Sequence, residues 1–164
     1  MTTIDTIFAR SFILLVVVEY FADGQQWSYQ TAKKSYQSTA KVPQGYTRAQ
    51  MDRGFNTTGL WRFSRHPNFL AEQTIWLTLY IWGAWASNTW LNWTVLGAVT
   101  YLGVFQGSTP ITEAVTAGKY PEYKLYKARV GRFVRALGKG WDEAEMAREA
   151  PKLLQDAKKK EGKR

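Results

Sequence analysis

Residues Phe69 to Gly107 read FLAEQTIWLTLYIWGAWASNTWLNWTVLGAVTYLGVFQG. Two apolar runs, Phe69–Ser87 and Trp90–Gly107, flank the polar turn Ser87-Asn88-Thr89. The first run has no charge after Glu72 and the second has none at all. A helix rises about 1.5 Å per residue, so about 20 apolar residues cross a bilayer core of about 30 Å. Trp85, Trp90 and Trp93 cluster at the turn, where an interfacial belt of aromatics would lie. The pair is expected to form a membrane hairpin; a hairpin of helices in a water-soluble domain is the competing reading.

A third apolar stretch, Ile4 to Ala22, is barely long enough to span, with Arg10 and Glu19 near its ends. The connection from Gln30 to Arg65 is basic, with Lys33, Lys34, Lys41, Arg48, Arg53, Arg62 and Arg65 against Asp52. So is the segment after the hairpin, with Lys119, Lys124, Lys127, Arg129, Arg132 and Arg135. The positive-inside rule places both basic segments in the cytosol. The expected fold is all-α: an integral membrane helical bundle of about three transmembrane helices, with a cytosolic amphipathic helix and a charged C-terminal helix or tail. The N-terminus then lies on the far side with no signal-peptide pattern, which suggests a missing upstream membrane segment. The chain divides into a membrane domain over 1–137 and a charged tail over 138–164, where Asp142-x-x-Glu145 resembles a helix cap. The basic tip Lys158-Lys159-Lys160 and Lys163-Arg164 reads as a solvated tail, with lipid-headgroup contact as the alternative.

Composition narrows the chemistry. No cysteine is present, so disulfides and thiolate chemistry are excluded. One histidine is too few for a zinc centre of the usual kind, so no metal site is expected. A net charge of +9 fits an anionic lipid or a phosphorylated ligand. Nucleic acid is disfavoured, because the basic residues flank apolar runs without a binding motif.

Polar groups gather around one edge of the apolar stretches. Glu19 and Asp23 are four residues apart on one helical face, and Gln26 and Gln30 continue the spacing. Arg62, Arg65, His66 and Asn68 precede the second run, and Glu72 lies one turn inside it. A buried Glu72 needs a donor, which Arg65 or His66 could supply. Duller roles exist for each: basic anchors for Arg62 and Arg65, a helix-start turn for His66-Pro67. Beyond the hairpin, Tyr123, Tyr126, Val130 and Phe133 recur at helical spacing among basic residues, an amphipathic helix along the cytosolic surface. Cations with adjacent rings, such as Arg129 beside Tyr126, suit phosphate contacts and stacking on a purine.

Taken together, Glu19, Ala22, Asp23 and Gln25 or Gln26 (ExxADxQ), GLWRFSRHPNFLAE (Gly59–Glu72) and TEAVTAGKYPEYKLYKARVGRF (Thr112–Phe133) resemble the C-terminal domain of the steroid 5α-reductase-like family. A broader similarity extends to isoprenylcysteine carboxyl methyltransferases. The resemblance implies an NADPH pocket contacted or supported by Glu19, Asp23, Arg65, Asn68, Glu72 and Tyr123 or Tyr126. It departs at Gln30, where the family often has Arg, and at Phe69-Leu70-Ala71, where Tyr-Phe-Gly is usual. The implied activity is reduction, with NADP as cofactor, of a carbon–carbon double bond in a lipid or sterol-like enone. The implied setting is the endoplasmic reticulum or another internal membrane. Partners would be membrane lipids, a lipid-like substrate, and other membrane subunits or a missing N-terminal half. Two alternatives stand beside this. One is a methyltransferase using S-adenosylmethionine on a membrane substrate; the other is a non-catalytic accessory subunit. No residue is assigned as proton donor, Tyr29 and Tyr80 being candidates by type alone.

Overall fold

The computed structural model describes residues 2–133, 140–148 and 151. Its helices are α1 (Thr3–Thr39), α2 (Arg48–Arg53), α3 (Pro67–Ser87), α4 (Val95–Lys119) and α5 (Tyr123–Arg129), with a 3-10 turn over Gly59–Arg62 and a further helical turn over 143–148. The described residues form two compact units. The first comprises Met1–Gly24 and His66–Glu113, the second Gln25–Arg65 and Ala114–Arg164. The basic tip Lys158-Lys159-Lys160 and Lys163-Arg164 lies outside the described residues, as does Arg135.

The expectation of about three transmembrane helices is overturned. No helix among the described residues is long and apolar enough to cross a membrane. The physical reason differs by helix. In α1 the charge-free stretch between Arg10 and Glu19 is only eight residues, 11–18, which at 1.5 Å each spans roughly 12 Å of a core of about 30 Å. In α3 the aliphatic residues Leu70, Ile75, Leu77, Leu79 and Ile81 are diluted by Asn68, Glu72, Gln73, Thr74 and Thr78 and by the rings of Trp76, Tyr80, Trp82 and Trp85. Indole and phenol are amphipathic rather than hydrocarbon-like. In α4 glycines, Gln106, Ser108 and Pro110 dilute Val, Leu and Phe.

In the first unit, α3 and α4 form the expected hairpin. Asn88 ends α3 in the left-handed conformation (φ 51°), a role its short polar side chain tolerates. Asn92 then organises the turn, donating to the Thr89 carbonyl and accepting from the Thr94 amide. Phe8 of α1 stacks on Trp82 of α3, whose indole donates to Asp5 Oδ1 at 3.1 Å. Phe69, Phe105, Tyr101 and Trp76 pack as a chain of rings 4.7 to 5.1 Å apart. Many large apolar side chains of this unit remain exposed, Ile13, Leu14, Leu91, Trp93 and Val99 among them.

The second unit has the denser core. Phe55, Tyr123, Tyr126, Val130, Trp141 and Met146 form one cluster, and Tyr29, Ala32 and Met51 a second. The stripe Tyr123, Tyr126, Val130 therefore faces protein, which corrects the expectation of a helix lying along a membrane surface. Burying each such side chain contributes about 1.5–3 kcal/mol, more than an amphipathic helix of seven residues supplies by propensity. Thr47 and Gln50 close a reciprocal capping box on α2. Gly54 ends that helix at φ 83°, and a Cβ there would meet the Tyr120 ring at 2.1 Å.

Candidate functional site

The residues singled out in the sequence fall into two groups, one in each unit. In the first unit, α1 brings Glu19 and Asp23, and α3 brings Asn68 and Glu72. His66-Pro67 sets the register of α3, with Pro67 in the first turn, where its missing amide hydrogen is no loss. The Asn68 amide donates to Asp23 Oδ1 at 2.9 Å. An ionised carboxylate only accepts, so this bond fixes which end of the amide is nitrogen. Asn68 Oδ1 is then buried with no hydrogen-bond partner.

One turn along α3, Glu72 Oε1 accepts the Tyr101 hydroxyl at 2.6 Å and the Trp76 indole at 3.1 Å. Glu19 of α1 and Glu72 influence one another electrostatically. The two carboxyl groups respond oppositely. Burial, then the hydrogen bond and charge of Glu72, then the charge of Asp23 push Glu19 up from 4.5 to about 7. The Tyr101 hydrogen bond holds Glu72 below the ordinary carboxylate value against the opposing effect of burial, with Trp76 and Glu19 assisting. The same contact raises the Tyr101 phenol. Two donors converging on one oxygen stabilise negative charge on Glu72.

Deeper in the unit, His66 Nε2 lies 3.1 Å from Glu113 Oε1, with both side chains buried. Phe69 stacks on the imidazole at 5.2 Å. This pair is apart from the donors that Glu72 uses. The expected support of Glu72 by Arg65 or His66 is not what forms; Tyr101 and Trp76 fill that role.

In the second unit, Arg65 is buried, and its guanidinium donates to the carbonyls of Lys127 and Val130 at 3.0 and 2.5 Å. It clamps the C-terminal end of α5, where carbonyls lack intrahelical partners. Its backbone amide bonds to Gly131, beside an isolated parallel bridge from Ser64 to Gly131. Tyr126 donates its hydroxyl to the Trp61 carbonyl. Tyr123 packs edge-on against Phe55. Arg129 pairs with Glu145 at 2.8 Å. Arg62 is half-exposed and meets Asp142 only at 3.9 Å. Gln25 accepts the Leu60 amide and lies against Gly59, whereas Gln26 Oε1 is buried without a partner. The two tyrosines considered as donors are both engaged by backbone, Tyr29 with Gln50 and Tyr80 with Trp90.

Several structural residues were not marked in the sequence. Trp76 is four positions from Glu72, a spacing that could have shown it. Tyr101 is 29 positions from Glu72, and nothing local links them. Arg53, read only as one charge of the basic connection, is the centre of a buried network with Thr57, Glu122 and Glu143. Among the described residues no group of acidic or imidazole side chains could hold a metal.

Comparison with known proteins places these features in a family. Residues 1–130 match the family described as "Protein of unknown function (DUF1295)". The chain is 48% identical over 141 residues to the uncharacterized protein C594.04c of Schizosaccharomyces pombe, a match covering 84% of this chain and 41% of that protein. The chain thus spans about two fifths of the length of that curated relative. No solved structure matches. With the Gly59–Glu72 segment and the Glu19–Asp23 turn both inside the matched region, the chain belongs to the DUF1295 family, within the steroid 5α-reductase-like group.

Proposed function

We propose that this chain is the cofactor-binding part of an NADP(H)-dependent reductase acting on a conjugated carbon–carbon double bond of a lipid or sterol-like molecule. Asn68 is the observation that carries it. Its amide nitrogen is committed to Asp23, and its buried oxygen lacks a donor. A buried acceptor left unpaired costs about 1–3 kcal/mol, so the fold holds it ready for a ligand donor. A nicotinamide carboxamide or a ribose hydroxyl is such a donor, and the cluster therefore fits the cofactor. When bound, the reduced dinucleotide supplies the hydride. The chain's own part is to orient it through Asn68, with Asp23 keeping the amide from rotating. Contact with lipid belongs to the same proposal, supported by the exposed apolar side chains of the first unit. So do substrate-contacting groups from a further segment or subunit.

A second reading has one specific observation in its favour. Glu19, Asp23 and Glu72 gather acidic groups with no lysine or arginine among their hydrogen-bond partners in the first unit. Such a set also suits a cationic sulfonium, as in S-adenosylmethionine.

Titration of the purified protein with NADPH and, separately, with S-adenosylmethionine distinguishes the two. NADPH is expected to bind, and Asn68→Ala to weaken it about tenfold, the equivalent of about 1.4 kcal/mol for one hydrogen bond. Binding of S-adenosylmethionine alone selects the second reading. Binding of neither, or unchanged affinity in Asn68→Ala, removes the cofactor site.

A further inference from the structure

We propose that Asn92, in the turn between α3 and α4, is a site of N-linked glycosylation. The inference goes beyond the cofactor reading and does not depend on it.

The acceptor pattern Asn-x-Thr occurs twice in the chain, as Asn56-Thr57-Thr58 and as Asn92-Trp93-Thr94. Locally the two are alike. In each, the asparagine Oδ1 accepts the threonine amide at 3.0 Å and the hydroxyl of the same threonine. Amide donors fix the oxygen end of each side chain, so the other end is Nδ2, the atom to which a sugar attaches.

Their surroundings differ, and that difference is not visible in the sequence. Asn56 and Thr57 are each 3% exposed, and Thr57 belongs to the Arg53–Glu143 network. A sugar on Asn56 would displace that network, so a folded second unit has no room for one. Asn92 lies in an open turn, where Leu91 and Trp93 on either side are 91% and 82% exposed. Its Nδ2 donates to the Thr89 carbonyl at 2.8 Å, and the second hydrogen on that nitrogen meets no acceptor among the described residues. The side-chain bonds of Asn92 all end within residues 89–94. Asn92 can therefore be drawn into a transferase without opening α3 or α4.

The co-reactant is a sugar joined through a diphosphate to a lipid. The Nδ2 electron pair forms a bond to the anomeric carbon of the sugar. The bond from that carbon to the diphosphate oxygen breaks, and its electron pair leaves with the lipid diphosphate. One Nδ2 proton passes to a base of the transferase. Such donors are used in secretory compartments, so the proposal includes passage of this turn through one. The attached sugar also finds a surface to lie on. Trp90, two positions before Asn92, and Trp93, next to it, are exposed, and the negative faces of their indoles attract the C–H face of a pyranose. A glycan there covers part of an apolar tip of a kind that soluble monomers rarely leave bare. The 21 residues of α3, at about 1.5 Å each, put roughly 30 Å between Asn68 and the turn, so the sugar stands clear of the proposed cofactor contact.

The test is a peptide map, by mass spectrometry, of the full chain produced in yeast. It is recorded before and after treatment with an amidase that releases N-linked glycans and leaves an aspartate at the attachment position. The wild type should carry one glycan, on the peptide containing Asn92, and the amidase should convert that residue. Asn92→Gln and Thr94→Ala should carry none, and Thr94→Ser should regain it. Asn56→Gln should match the wild type in glycan mass. The wild-type map decides the site without relying on any variant. An unmodified Asn92 in the wild type, a glycan that persists in Asn92→Gln, or a glycan found on Asn56 overturns the proposal.

Discussion

Replacing Glu143 by Gln should destabilise the second unit by about 2 kcal/mol. Arg53 is almost completely buried, and its guanidinium is met by both oxygens of Glu143 at 2.7 and 2.6 Å. Thr57 adds an acceptor at 2.9 Å and Glu122 one at 3.4 Å, while the Trp141 ring lies 5.0 Å away. Removing one partner of a buried pair costs about 3–5 kcal/mol, because a charge is left uncompensated. Here the figure must be reduced. The Glu143 side chain is 40% exposed, where screening weakens the pair, and Glu122 remains as a second anion. For a chain of this size about 2 kcal/mol corresponds to a fall of roughly 4–8 °C in Tm. Urea unfolding, with hydrogen exchange read at α2 and at 143–148, gives the value and its location. The pH dependence has a definite sign. Burial pulls the Glu143 carboxyl upward, but the Arg53 hydrogen bond and charge, with Thr57 and Trp141, outweigh it and hold the carboxyl below 4.5. A depressed folded value gives stability that is present above 4.5 and is lost as pH falls through the lower folded value. Wild type and variant should therefore converge in acid. Adding Arg53→Met should restore part of the loss, since removing both charges is milder than stranding one. A loss below about 0.5 kcal/mol, or additive effects in the double variant, would refute this account and make the contact an ordinary surface pair.

The remaining expectations are narrower. Gly54→Ala should lower stability by about 3 kcal/mol in thermal unfolding, combining a left-handed backbone with a Cβ forced into the Tyr120 ring; a loss of no more than about 1–2 kcal/mol, the left-handed penalty alone, would mean that the ring moves aside. Glu113→Ala should cost about 2 kcal/mol by removing the buried contact to His66, and Glu113→Gln clearly less; equal losses would show that a neutral amide cannot stand in for the carboxyl at His66. Stability of the first unit, followed by hydrogen exchange in α3, should fall as pH rises from 4.5 towards 7. Glu19 binds its proton more tightly folded than unfolded across that window. The Glu72 contribution, with its lowered value, is present above 4.5 and is lost only in more acidic solution.

The helical content and the α3–α4 turn were readable because their signals are local. Ser87-Asn88-Thr89 is polar between apolar runs, and Asn88 takes the left-handed cap such a break needs. The cap at Asp142 was equally local, and its carboxylate accepts the Ala144 and Glu145 amides. Apolar spacing in Tyr123, Tyr126 and Val130 correctly marked one face of α5. It could not say whether lipid or protein covers that face, because both environments select the same residues. Phe55, Trp141 and Met146 cover it, and they lie far away in sequence. The span count failed for a related reason. Absence of charge was read as hydrocarbon character, whereas much of the uncharged surface of α3 and α4 is indole, hydroxyl, amide and glycine.

The candidate site divides along the same line. Glu19, Asp23, Asn68 and Glu72 were recognisable from spacing and motif, because each pair on a helix stands one turn apart. Their partners decide what they do, and those are long-range. Arg65 was read as a membrane anchor or a cofactor contact; its carbonyl clamp on α5 depends on residues more than sixty positions away. Glu72 was expected to take its donor from Arg65 or His66. It has a phenol and an indole instead, and that substitution matters chemically. A guanidinium would have brought a full positive charge to Glu72, whereas a phenol and an indole stabilise the carboxylate by hydrogen bonding alone. The surroundings of Glu72 are therefore a property of how α3 and α4 pack, with Tyr101 reaching it from 29 positions away, rather than of any motif.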